Sequence, residues 1–111
     1  MSPDQAIAAL DRQLQAHGQT VKVRHAGQAY ELRAFVRGVA QDPTDIGGGI
    51  TQNERLVVLS PTGLRAAGWP AGADTEEIDA VTVDGRIRGV DAVVPVSMAD
   101  VVVRYDVTIR G

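Results

Sequence analysis

The last ten residues before the C-terminus, Val101-Val-Val-Arg-Tyr-Asp-Val-Thr-Ile-Arg110, constrain the fold more than any other stretch. Val101, Val103, Tyr105, Val107 and Ile109 alternate with Arg104, Asp106, Thr108 and Arg110. A repeat of two is the signature of a strand with one buried and one wet face. Upstream, Arg86–Ser97 reads as a second strand, joined to Ile78–Val83 through Asp84-Gly85. Asp-Gly between apolar runs is a hairpin signal, because a type I′ turn needs positive φ at both central residues. The second half of the chain is therefore predicted as a three-stranded meander.

The chain opens differently. Ser2 is a candidate N-cap, Pro3 suits the first helical position, and Gln5 completes a capping box. Ala6, Ile7, Leu10 and Leu14 then form one apolar stripe, which predicts an amphipathic helix over Pro3–His17, ended by Gly18. A lone helix of this length cannot hide such a stripe, so it is expected to lie across a sheet or cover a barrel mouth. From residue 20 the repeat becomes two. Val21 and Val23 lead to a turn at Ala26-Gly27-Gln28, then Tyr30, Leu32, Ala34 and Val36 alternate with polar neighbours. Phe35 and Val39 fall on the outer face, so either the strand is covered on both sides at its far end or these two residues meet a partner.

Asp42–Glu54 has no periodicity and contains Gly47, Gly48 and Gly49 in succession. Loops this long are uncommon in small domains and usually functional or disordered. Leu56–Leu59 reads as a strand buried on both faces, Ser60-Pro61-Thr62-Gly63 as a turn into a short helical piece at Leu64–Ala67, and Pro70–Glu77 as a polar loop. In Arg86–Ser97 the apolar parity slips between Ile87 and the set Val90, Ala92, Val94 and Val96. One extra residue near Gly89, a β-bulge, would reconcile them and bend the strand toward closure. The expected fold is mainly β (α+β): one domain over 1–111, with a helix at 3–17 and a small six-stranded antiparallel β-barrel or sandwich over 20–110. One long Gly-rich loop lies at 42–54. Its expected core is Val21, Val23, Leu32, Val36, Leu56, Val58, Val81, Val83, Val103, Tyr105 and Val107.

Little chemistry is written in the residues. With 111 residues, no cysteine and a net charge of −3, the chain excludes disulfides and thiol nucleophiles and lacks the basic surplus of a dedicated nucleic-acid binder. It shows no run long enough to span a membrane as a helix, nor the basic and apolar start of a signal peptide. His17 and His25 have no metal-ligand spacing, and structural or solvent-facing roles are expected of both. Asp42 and Asp45 do not follow a calcium-loop spacing, and the triple glycine is not a phosphate loop. Ser60 and Ser97 lack a base, and Glu76-Glu77, in an extended segment, would point apart. The expectation is no enzyme, no cofactor, no metal and no catalytic residue, with work done by a surface.

The order of segments carries a resemblance. After the N-terminal helix come "VRGVAQDPTDIGGGITQNERLVVLSPTGLRAAGWPAG" and "DAVTVDGRIRGVDAV", then a closing strand ending Ile109-Arg110-Gly111. This order resembles the small head-to-tail joining (head-completion, stopper or connector) proteins of long-tailed bacteriophages and gene transfer agents. The resemblance covers nearly the whole chain, through motifs of low specificity such as Val-Asp-Gly-Arg. It implies a small β-barrel with an appended helix that assembles as a homo-oligomeric ring, a hexamer, at the virion neck after synthesis in the bacterial cytoplasm. The ring would sit between portal or adaptor protein and tail terminator or tail tube protein. DNA would pass its lumen without sequence-specific binding. The expected interface residues are Asp42, Asp45, Ile46, Gly47, Gly48, Gly49 and Ile50, flanked by Arg55 and Trp69, with the loop mobile when free and ordered by neighbours. Two other readings stay open: another neck or tail component such as a tail terminator, and a monomeric β-barrel that binds a ligand.

Overall fold

The computed structural model describes residues 2–38, 55–70 and 75–110. The strands are β1 (Gln19–His25), β2 (Gln28–Gly38), β3 (Arg55–Leu59), β4 (Ala80–Val83), β5 (Arg86–Met98) and β6 (Val101–Ile109), with helices α1 (Pro3–His17) and α2 (Pro61–Ala67). A 3-10 turn, Thr75–Glu77, precedes β4. The strands close into an antiparallel barrel in the order β1-β2-β3-β6-β5-β4. Mainly-β, six-stranded and opened by a helix, the architecture is the one the periodicities predict.

Two strands do the closing. The first part of β2 pairs with β1 (Ala34 opposite Gln19), and its end pairs with β3 (Phe35 opposite Val58). Likewise β5 pairs with β4 as far as Gly89 opposite Ala80, then with β6 from Val90 opposite Ile109. The other four strands lie between these shared corners. At the second corner the β5–β6 register shifts between Val90 and Ala92, so Asp91 is the extra residue of a bulge. Arg110 clamps it: its backbone N–H donates to the Gly89 carbonyl at 2.9 Å, and its guanidinium lies 2.7 Å from Asp91.

The bulge corrects the sequence reading. It falls at Asp91, two residues beyond Gly89, and so turns Val90 and Val93 toward Ile109 and Val107, both fully buried. Ile87, Ala92 and Val94 are left outside, with Ile87 62% and Val94 53% exposed. In β3 the inward residues are Val57 and Leu59, opposite Val107 and Tyr105. Val58 on the other face is also buried, as a doubly covered strand requires, but Leu56 is only half-buried. Val36 and Tyr105, expected in the core, are half-buried at its margin. The remaining expected core residues are buried, joined by Ala34, Leu64, Ile78 and Ile109. Phe35 is half-buried, and Arg37 lies over its ring at 5.9 Å from the centroid. Val39 lies outside the described residues.

Helix α1 carries the predicted capping box: the Gln5 N–H donates to Ser2 Oγ, and the Ser2 N–H to Gln5 Oε1. It packs chiefly on β6, β2 and α2, the elements that surround the far end of β3. Its C-terminal carbonyls are met by Arg33, which donates to Leu14 O at 3.3 Å and to Gly18 O at 2.5 Å. A cation there also opposes the negative end of the helix dipole. Asp11 accepts a hydrogen bond from the buried Ser60 hydroxyl, tying α1 to the start of α2. Of the predicted stripe only Leu14 is fully covered, at 3% exposure, whereas Ala6, Ile7 and Leu10 are half-buried. The helix rests on a barrel end rather than sinking into the core.

Helix α2 begins three residues earlier than the sequence reading placed it, because Ser60 is its N-cap and Pro61 fills the first turn. Among the described residues three hairpins use left-handed turns: Ala26-Gly27, Asp84-Gly85 and Ala99-Asp100 have φ of 50/79°, 52/79° and 49/64°. The first two place glycine second. The third has no glycine, and an L-residue in that region costs about 1–2 kcal/mol.

Two outcomes follow from these contacts. Leu14→Ala should lose about 2–4 kcal/mol in a denaturant titration and half-buried Leu10→Ala clearly less, about 1 kcal/mol. Asp100→Gly should raise stability by about 0.5–1 kcal/mol in the same assay, since the native turn already has the backbone that glycine tolerates.

Candidate functional site

Among the described residues, those capable of recognition cluster where α2 hands the chain on to Trp69. Gly68, at φ +97°, ends α2 in the left-handed conformation. Its N–H bonds Arg65 O at 3.1 Å while the Trp69 N–H bonds Leu64 O at 3.0 Å, the paired bonds of a Schellman turn. That turn folds Trp69 back onto the barrel wall. Its ring lies 5.3 Å from Tyr30, edge to face, and 5.2 Å from His25. Such aromatic geometries add about 0.5–1.5 kcal/mol beyond area burial.

His25 is fixed from its other side. Nδ1 lies 3.0 Å from the Glu77 carbonyl, which can only accept, so Nδ1 carries the hydrogen. Nε2 lies 3.5 Å from Glu77 Oε2. His25 therefore holds the 3-10 turn Thr75–Glu77 against Trp69, a structural role. That turn also corrects the expectation of an extended Glu76-Glu77 segment. His17 is exposed at the end of α1.

Beside this aromatic stack lies a cleft of about 310 Å³. Pro61, Leu64 and Arg65 of α2 form one wall, and Trp69, Pro70, Thr75 and Tyr105 of β6 line the rest. Trp69 thus has two duties: it packs on the barrel core and presents a surface to the cleft. The sequence flagged Trp69 but missed its companions. Pro61 reads as part of a turn and Leu64 as the start of a short helical piece, and only the pairing of Leu59 with Tyr105 brings β6 beside α2.

Of the interface residues expected from the sequence, Asp42, Asp45, Ile46, Gly47, Gly48, Gly49 and Ile50 lie outside the described residues. Arg55 is half-buried at the start of β3, opposite Gly38 and Ile109. Trp69 touches Tyr30, eight residues before Gly38 along β2. At about 3.3 Å per residue that is on the order of 25 Å of strand. Arg55 thus lies beside the Gly38 end of β2 and Trp69 beside its Tyr30 end.

No three or more His, Cys, Asp or Glu side chains converge on a metal-sized site among the described residues, and no described helix is long and apolar enough to cross a membrane. Comparison with protein-family models, with curated proteins and with solved structures finds no match.

Trp69→Ala should cost about 2–4 kcal/mol, because it removes a large ring from the barrel wall together with its contacts to Tyr30 and His25. Thermal unfolding of the variant checks this, and a loss under about 0.5 kcal/mol would show that the stack is not structural.

Proposed function

We propose that the chain is a structural head-to-tail joining protein, a stopper or head-completion component of a tailed bacteriophage or gene transfer agent. The observation that carries this reading is the architecture. A closed six-stranded barrel with an N-terminal helix on one end is what the resemblance in segment order implies. Surface character agrees with it. Among the described residues, the large apolar side chains most open to solvent, Ile87, Val94 and Val101, sit on β5 or the start of β6. Exposed apolar groups gathered on one ribbon suit contact with neighbours rather than chemistry.

In this role copies form a ring, a hexamer, in the neck of the particle. One side meets the portal or adaptor and the other the tail terminator or tail tube protein. DNA crosses the lumen without sequence-specific contact, and acidic residues such as Asp42 and Asp45 repel its phosphates. Ile46 and Ile50 are the anchors of the segment at 42–54. Cryo-electron microscopy of particles from the producing cells should place the chain as a ring at the neck. Changing Ile46 and Ile50 together to Ser should leave the domain folded but reduce tailed, DNA-filled particles by about tenfold, as loss of interface anchors does. Normal tailing by that variant, or a location elsewhere on the particle, overturns the proposal.

The cleft beside Trp69 favours a second reading, a small β-barrel binding domain acting as a monomer. Sedimentation across a concentration series separates the two, since a ring gains mass with concentration and the binding domain stays at 11.7 kDa.

A further inference from the structure

We propose that the cleft between α2 and Trp69 is a recognition site for an extended, acidic, proline-containing segment of a partner protein. This does not rest on the joining role, and failure to form a ring would leave it untouched. Three observations lead to it.

First, the walls are mostly flat and apolar. Two aromatic rings (Trp69, Tyr105), two pyrrolidine rings (Pro61, Pro70) and the Leu64 side chain line the cleft, with Thr75 and Arg65 as its polar members. Flat aromatic and prolyl faces are what a polyproline II segment docks against. Such a segment is already extended in solution, so it loses little conformational entropy on binding. A volume of about 310 Å³ is at the small end for ligand pockets, enough for one or two side chains of a passing chain.

Second, the cleft offers a cation. Among the described lining residues Arg65 is the charged one. The Arg65 side chain is exposed and has no ion-pair or hydrogen-bond partner among the described residues. A guanidinium at the rim of an apolar groove selects a carboxylate, which it can hold with two parallel hydrogen bonds. A cationic ligand would meet repulsion from Arg65.

Third, the site is preformed. Trp69 is held by the Schellman turn, by Tyr30 and by His25, and Leu64 is buried beneath α2. Binding then spends little on ordering the receptor side.

Trp69 is the single tryptophan, so all indole emission reports this cleft. The full chain is titrated with a terminally blocked octapeptide of prolines carrying two glutamates, following Trp69 emission and backbone amide shifts. Controls replace every proline by glycine, or both glutamates by lysine. The expected result is a saturable change with Kd below roughly 1 mM, centred on Leu64–Pro70 and Tyr105. Arg65→Glu, a surface change checked for an unaltered circular dichroism spectrum, should weaken binding at least about tenfold, and the glycine and lysine peptides should bind no better. No saturable change with the acidic proline peptide, equal binding of the glycine peptide, or an Arg65→Glu variant that binds as well as the parent overturns the inference. So does an emission change that tracks protein concentration without peptide, which would mean that a second copy fills the cleft.

Discussion

The closure of the barrel depends on the change of partner within β5. Up to Gly89 the strand belongs to β4; from Val90 it belongs to β6. An antiparallel ladder cannot hand a strand from one neighbour to another without a bend, and the extra residue at Asp91 supplies it. Both backbone and side chain of Arg110 then hold the bend. The ion pair itself contributes little, since Arg110 is largely exposed and solvent screens it. What matters is register. With Asp91 bulged out, Val90 and Val93 meet Ile109 and Val107 inside, and one residue of slip would put all of them outside.

The same device that closes the barrel shapes its surface. Because parity resets at Asp91, β5 shows Ile87 before the bend and Ala92 and Val94 after it to the exterior. An apolar exterior is thus a by-product of closure as well as a candidate contact surface. At the other corner, β2 passes from β1 to β3, and Arg33 just before the change caps α1. The two helices meet where β3 stops, joined by Asp11 and Ser60, and the cleft opens beside them. The site is therefore built from elements set by the end of the shortest wall strand of that sheet rather than by any catalytic motif.

Much of this was legible in local pattern. The capping box, Pro3 and the apolar stripe fix α1; the alternation in Val101–Ile109 fixes β6; Asp84-Gly85 fixes its hairpin. Each depends on residues within one or two turns of each other, and the backbone preferences act over that range. The position of the bulge was not legible to the residue. Gly89 carries a local signal and Asp91 none, and the choice between them was made by pairing with Val107 and Ile109 on β6. Leu56 and Val58 were assigned the inward parity of β3 because an all-apolar strand has no parity of its own. Tertiary pairing with Val107 and Tyr105 decided it.

What the sequence determined by itself was the kind and order of the elements: a capped amphipathic helix, half-buried strands and tight left-handed turns. These follow from side-chain periodicity and φ preference, which are short-range properties. The tertiary structure alone decided which strands become neighbours, where β5 bends, and that Trp69 faces Tyr30 and His25. Those outcomes require contacts between residues tens of positions apart, and only the shared burial of both partners selects them.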